Sequence, residues 1–457
     1  MGNTTPKITG PVEGGRRGIA FCRPRTDIAS RGYVAEEFIL DGEALSYLPA
    51  PGATHGRDGK WDVIASEPAA YRTRILVVRP QRAEDFDGTV VCNWQNVTAG
   101  YELGSADDVG VLDGAAWVGV SAQAVGIHGF PNNRNAMGQE LTVQWHLTAW
   151  EPERYGSLSH PGDDWSYDIF TQAAAAVGPG RKMEGLDPMG GLPVRRVIAT
   201  GASQSGGRLT TYYNAIHPLA GVFDGFLPSI SGGFATPVNA KAAAEASGSE
   251  TGAMGRAGSL FRDDLATPLF LVNSECEARG YHAYRRPDDD TFRFWEVAGT
   301  PHDNRMAPGP AEGGEGRILN PLSYLPFQAM ALQHLVRWIE DGTPPPIFAG
   351  MEKTVAEDGR AHLIRDDSGN AKGDLRHPAL EAPTAEYHGA NGQAPGFGRL
   401  FGWALPHDPE VVRARFGSAS SYLKSYAEAV DSLIDRAAVR AIDRDQIIAA
   451  APPYPAA

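Results

Sequence analysis

At 457 residues the chain exceeds the ~100–200 residues of an ordinary domain, but α/β folds run longer as one unit, so one large domain with insertions and an appended C-terminal region is expected. A hydrophobic fraction of 42% with 21% charged residues excludes a disordered or fibrous chain. The formal net charge of −14, with no Lys/Arg block interleaved with aromatics, excludes a nucleic-acid stripe or an anionic membrane surface as the natural partner and points to a neutral or cationic small molecule.

In chain order, the N-terminus (MGNTTPK) has no apolar core of a signal peptide, and no later run reaches the ~18 apolar residues of a membrane helix, so a cytoplasmic protein is expected. Residues Gly32–Tyr47 and Tyr71–Arg79 are β-rich, end in turn residues and resemble edge strands. Short apolar runs without alternation follow at Gly88–Trp94, Ala116–Ala122, Val194–Thr200 and Pro268–Asn273, with Phe292–Val297 after them. Helical patterns fit Asp168–Val177, Gly206–Ile216 and Tyr324–Asp341, the last stopped by Gly342 and Pro344–Pro346. Continuous apolar strands separated by helices imply a mostly parallel sheet buried on both faces.

Two segments break this pattern, residues 126–164, rich in Gly, Asn, His, Pro and Trp, and residues 232–261, rich in small residues. Both are candidate lids over the C-terminal strand ends, where ligands bind in such folds. Residues 1–346 are thus read as the catalytic domain and 347–457 as a C-terminal extension, with a helical pair over Ser418–Ala451. Trp94, Trp117, Trp145, Trp150 and Trp165 hint at an aromatic-lined site, although tryptophans serve the core equally often.

The run VRRVIATGASQSGGRLTTYYNAIHP has the strand, tight turn and helix that a nucleophile elbow requires. Its match to G-x-S-x-G is imperfect. Ser203 has Gly201 two residues before it but Ser205 two residues after, and Ser205 has the converse defect. Ser203 is preferred because the apolar strand stops just before Gly201, which puts Ser203 at the apex; Ser205 is the alternative nucleophile.

In this elbow's fold the chain order is Ser, then Asp/Glu, then His. His302, in FRFWEVAGTPHDN, follows a short strand and a Gly-Thr-Pro turn and is read as the base. The acid should leave the end of PLFLVNSECE, where Glu275 and Glu277 both qualify; Glu277 is preferred for its place in the loop, and the choice stays open. The oxyanion hole takes the N–H of Gln204 and a second N–H from the loop after the third strand, with Asn96 and Val97 as candidates. No metal and no organic cofactor is expected, because His128, His146, His160, His217, His282 and His302 form no HExxH or similar spacing. Cys22, Cys92 and Cys276, without a CxxC, read as small hydrophobes rather than disulfides or zinc ligands.

Together ERYGSLSHPGDDWSYDIFTQA, GASQSGGRLTTYYNAIHPLAGVFDGFLP, LVNSECE and RFWEVAGTPHDN resemble the bacterial alpha/beta hydrolase domain-containing family of serine hydrolases, over roughly residues 30–450. The resemblance implies an α/β-hydrolase fold and esterase chemistry carried by Ser203, His302 and a glutamate of SECE. Family members commonly have Asp where this chain has Glu277. The elbow is also similar to the G-x-S-R-x-G turn of glucuronoyl esterases, which places the nucleophile at Ser203. The expected activity is hydrolysis of a small-molecule carboxylic ester; acyl transfer by the same triad and a non-catalytic binding protein on this fold are the alternatives.

Overall fold

Tyr33–Pro49 and Val63–Pro80 carry β-branched and aromatic residues along their length, and these stretches pair as a long antiparallel ribbon, β2 and β3, running from Tyr33 opposite Pro80 to Pro49 opposite Val63. The computed structural model describes residues 5–108, 110–134, 140–181, 186–240, 242–243, 257–304, 309–357 and 361–455. It divides into two units, one of Met1–Pro228 with Gly233–Leu269 and one of Ser229–Gly232 with Phe270–Ala457.

In the first unit the strands are β1 (Lys7–Thr9), β2, β3, β4 (Thr89–Trp94), β5 (Ala116–Val120), β6 (Arg196–Ala202) and β7 (Gly225–Ser229), hydrogen-bonded in the order β1-β2-β3-β5-β4-β6-β7. Along β1, β2, β3 and β5 each strand runs antiparallel to its neighbour, while β5, β4 and β6 run parallel. β4 and β5 are buried at every position, as their unalternating apolar sequences require for strands covered on both faces. The expected α/β architecture, a large, mostly parallel sheet with flanking helices, is therefore present.

The reading of the first two strands as edge strands is corrected. β2 lies between β1 and β3, and β3 between β2 and β5, so only the short β1 occupies that edge. Charged side chains of these two strands are paired inside. The Arg74 guanidinium bonds both Glu37 and Glu102, Ser121 Oγ accepts from its Nε at 3.1 Å, and Arg154 Nε reaches Glu37 at 2.5 Å. Removing a partner from such a cluster strands a charge without water, which costs about 3–5 kcal/mol.

Helix α1 (Ala124–His128) follows β5, and α2 (Leu147–Trp150) and α3 (Pro152–Tyr155) precede α4 (Ser166–Val177), which is buried almost throughout. α5 (Gln204–Thr211) starts directly after β6 and passes into a wider turn, Tyr212–Ile216, then α6 (His217–Ala220). Widening frees a carbonyl, and Arg262 Nη1 takes that of Asn214 at 2.7 Å. A short ladder joins β8 (Phe234–Ala235) to β9 (Ala257–Gly258).

In the second unit β10 (Leu269–Ser274) and β11 (Phe292–Val297) lie side by side, both fully buried, and the helix Leu325–Asp341 ends at Gly342 in the left-handed conformation. The C-terminal helices Ala419–Asp435 and Arg444–Ala449 match the expected pair. Strands at Lys353–Val355, Ala361–Leu363, Ala385–His388 and Trp403–Pro406 were not anticipated. No helix among the described residues is long and apolar enough to cross a membrane.

Candidate active site

β6 delivers the chain to Ser203 and α5 takes it away. Ser203 sits between them at φ 60°, ψ −115°, a conformation that side-chain-bearing residues rarely adopt. Holding it costs on the order of 1–3 kcal/mol, so the surroundings must enforce the turn. They do so by close packing. A Cβ on Gly201 would meet Ser205 Cβ at 3.0 Å, and one on Gly207 would meet the Phe234 ring at 2.4 Å. Ser205 lies in the first turn of α5, fully buried, and its Oγ has no hydrogen-bond partner among the described residues.

The loop after β4 is fastened to this turn. Asn96 Nδ2 donates to the Ala202 carbonyl at 2.8 Å, while Asn96 Oδ1 accepts from Thr98 N–H at 2.9 Å. Val97, next in sequence, is buried. Gln204 opens α5, so its N–H belongs to the first turn, which has no intrahelical acceptor.

A polar network that sequence reasoning missed supports Gln204. Its Nε2 donates to Gln123 Oε1 at 3.0 Å, and the same oxygen accepts from Trp94 Nε1 at 3.0 Å. Gln123 Nε2 in turn donates to Asp163 Oδ2 at 2.8 Å, an oxygen that Arg208 Nη2 also reaches at 2.6 Å. Burial alone would raise the Asp163 carboxyl, but the Arg208 charge, with hydrogen bonds from Gln123 and the Ala124 N–H, outweighs it and holds the group below the ordinary carboxylate range. Burial pushes His160 down, consistent with a neutral ring whose Nε2–H donates to the Ala122 carbonyl at 2.9 Å and whose Nδ1 accepts from Gly162 N–H. Gln123 just precedes the first expected lid and Asp163 lies at its end, and neither carries a sequence pattern of its own; residues 135–139 of that lid, and 241 and 244–256 of the second, lie outside the described residues.

The second unit holds the histidine and both glutamates. At the C-terminal end of β10, Glu277 Oε2 accepts from Ser274 N–H at 3.1 Å and from Ser274 Oγ at 2.6 Å. This turns Oε1 to His302, whose Nδ1 donates to it at 2.6 Å. A carboxylate only accepts, so the contact fixes a proton on Nδ1, and in the neutral tautomer Nε2 is the acceptor nitrogen. Both side chains are nearly buried, 11% exposed for His302 and 5% for Glu277.

Glu275 faces elsewhere. Its Oε1 pairs with Arg365 Nη2 at 2.6 Å and accepts from Gly389 N–H at 3.2 Å, and its Oε2 accepts from Gly299 N–H at 2.8 Å. With Glu275 N–H donating to the Thr300 carbonyl at 3.1 Å, this residue braces the loop that carries His302. The two candidate acids thus have different partners, one the imidazole and the other the loop.

Cys276 stands between them. Burial first, then the neighbouring Glu277 charge, push its thiol well above the usual cysteine range. One ligand atom each from Cys276, Glu277 and His302 lie within 4.8 Å of one another. No spacing pattern along the chain announces this group, because two members are adjacent and the third arrives from another loop. None of the three cysteines is joined in a disulfide, and Cys92 is the fully buried hydrophobe expected of it. Of the tryptophans, Trp94 and Trp117 are core, whereas Trp145 is 46% exposed.

A family profile described as alpha/beta hydrolase domain matches residues 8–449. Among solved structures, the chain is similar to a brefeldin A esterase described as a bacterial homologue of human hormone-sensitive lipase, at 16% identity over 42% of this chain and 41% of that one, with a TM-score of 0.20. It is also similar to esterase Est22, at 14% identity over 51% of this chain and 65% of that one, TM-score 0.26. A third is the glucuronoyl esterase from Solibacter usitatus, at 9% identity over 64% of this chain and 79% of that one, TM-score 0.28. The chain spans less than two thirds of the first two. No curated protein matches the sequence.

Proposed function

The chain belongs to the alpha/beta hydrolase domain family, and on that premise we propose that it is a serine esterase that cleaves a small-molecule carboxylic ester through an acyl-enzyme. The observation that carries this reading is the backbone of Ser203, a non-glycine residue held at φ 60° between a buried strand and a helix. A fold spends strain on a serine in this way where its hydroxyl must be presented for attack. The Glu277–His302 hydrogen bond supplies a base in the required tautomer, and the chain order Ser203, Glu277, His302 is that of the family's triads.

In this mechanism His302 Nε2 removes the Ser203 Oγ proton as the hydroxyl adds to the ester carbonyl. Glu277 offsets the positive charge that develops on the imidazole. Collapse of the tetrahedral intermediate expels the alcohol, which takes the proton from His302, and water then attacks the acyl-enzyme with His302 again as base. The N–H of Gln204 and that of Asn96 or Val97 stabilise the oxyanion. Glu275 is assigned to holding the His302 loop. Three cysteines outside any disulfide suit a reducing compartment, so the proposed location is the cytoplasm.

A fluorophosphonate probe followed by peptide mass mapping tests the assignment. The label is expected on Ser203, with loss of p-nitrophenyl ester hydrolysis in proportion to labelling. Label on another serine, or full activity after stoichiometric labelling of Ser203, overturns it.

A further inference from the structure

Cys276 has no part in that mechanism, yet its sulfur lies within 4.8 Å of ligand atoms on both Glu277 and His302. We infer that Cys276, Glu277 and His302 form an inhibitory site for a borderline-soft divalent cation such as Zn²⁺ or Co²⁺, and that the ion silences the esterase by capturing the face of His302 that must hold its proton. The inhibition rests on the proposed triad; the binding does not.

The donor set is one sulfur, one imidazole nitrogen and one carboxylate oxygen, which suits zinc-like ions and not magnesium or calcium. Glu275, the other carboxylate of the loop, is already taken by Arg365 and two backbone N–H groups and cannot join. Ligand bonds of ~2.0–2.3 Å in a tetrahedral shell put donor atoms roughly 3.3–3.8 Å apart. The His302–Glu277 contact at 2.6 Å must therefore open and the sulfur close in, movements of about an ångström that side-chain torsions supply. A fourth position falls to water.

Charge and protons balance. The thiol gives up its proton to solvent, so thiolate, carboxylate and neutral imidazole together cancel the 2+ charge. The ion takes Nδ1, and the Nδ1 proton passes through solvent to Nε2. The ring stays neutral but in the other tautomer, and Nε2 no longer has a lone pair with which to accept the serine proton. Capture of Glu277 removes the counter-charge as well.

The test uses the intact chain with Co²⁺ as optical probe and Zn²⁺ as competitor. One Co²⁺ per chain is expected, with the near-ultraviolet charge-transfer band of a cobalt–thiolate bond, bleached by Zn²⁺. Ester hydrolysis should fall in step with occupancy and return on adding EDTA. Cys276→Ala and Cys276→Ser should lose the band and need at least tenfold more Zn²⁺ for half-inhibition, each judged against its own metal-free rate. Circular dichroism checks that both variants are folded. Ser203→Ala should bind Co²⁺ as the parent does. A band that persists in both Cys276 variants, unchanged Zn²⁺ sensitivity in them, or no band at millimolar Co²⁺ overturns the site. If the parent hydrolyses no ester but shows a Cys276-dependent band, the metal site stands and the esterase reading fails.

Discussion

Replacing each glutamate by glutamine separates a charge needed for chemistry from one needed for architecture. In Glu277→Gln the Ser274 N–H and hydroxyl still find an acceptor, the amide oxygen, so the amide NH₂ is the group left facing His302 Nδ1. Two donors cannot share a hydrogen bond. The imidazole must shift its proton to Nε2, which disables the base, and the negative charge is gone as well. The expected loss in kcat is on the order of 10⁴-fold, the size seen when a serine protease triad exchanges its carboxylate for an amide, and equals about 5.4 kcal/mol of transition-state stabilisation. KM and melting temperature should change little. Glu275→Gln breaks the ion pair with Arg365, whose side chain is 20% exposed against 2% for the glutamate, so the cost to the fold sits near the low end of the ~3–5 kcal/mol range for broken buried pairs. A lower melting temperature is expected with less than about a tenfold loss in kcat. Steady-state kinetics and thermal unfolding of the two purified variants decide. A 10⁴-fold loss in Glu275→Gln at native melting temperature, with Glu277→Gln near parental activity, refutes the reasoning.

Ser203→Ala should abolish p-nitrophenyl ester hydrolysis, while Ser205→Ala, which deletes a buried hydroxyl without a partner among the described residues, should leave a folded enzyme with measurable activity; inactive, folded Ser205→Ala protein would reverse the roles. Glu37→Gln leaves Arg74 and Arg154 short of negative charge inside the protein and should destabilise it by about 3–5 kcal/mol in urea unfolding; an unchanged midpoint would show the cluster to be neutral to the fold. Burial pushes His377 down to about 3, and its Nδ1 must stay unprotonated to accept the Ala379 N–H at 3.2 Å. A depressed histidine is neutral in the fold while the unfolded chain takes up a proton below its pKa of ~6.5, so stability should fall as pH drops from about 6.5 toward 3, by up to about 1.4 kcal/mol per unit. His377→Asn keeps a capping acceptor without the ionisation and should flatten that slope in pH-dependent unfolding; an unchanged slope would assign the acid sensitivity elsewhere.

The parallel strands were legible because burial on both faces writes a continuous apolar run, as in Thr89–Trp94 and Leu269–Ser274. β7 was not legible, since five residues containing a glycine and a proline carry too little signal. β2 and β3 were placed as strands but misjudged as edges, because β-rich runs ending in turn residues do not show which strands the fold sets beside them, and β1 and β5 lie outside the pair. At the candidate site the strand, tight turn and helix around Ser203 were legible from local turn chemistry. The partner of His302 was not, because Glu275 and Glu277 differ only in which backbone and side-chain donors the fold sets against them. Gln123, Asp163 and Arg208 meet from three separate segments, and no local pattern records such a meeting.

The departure of GASQSG from the expected pattern has a physical explanation in the same terms. The glycine that G-x-S-x-G wants two residues after the nucleophile is there to let the helix start close against the strand. Here that position is Ser205, and its Cβ lies 3.0 Å from where a Cβ on Gly201 would stand. The requirement is on the pair and not on each position: one side chain fits between strand and helix provided the other is absent. Gly207, one turn on, is fixed separately by the Phe234 ring at 2.4 Å from its missing Cβ. A chain can therefore leave the consensus at position 205 and still hold Ser203 in its strained conformation, so long as Gly201 and Gly207 stay glycine.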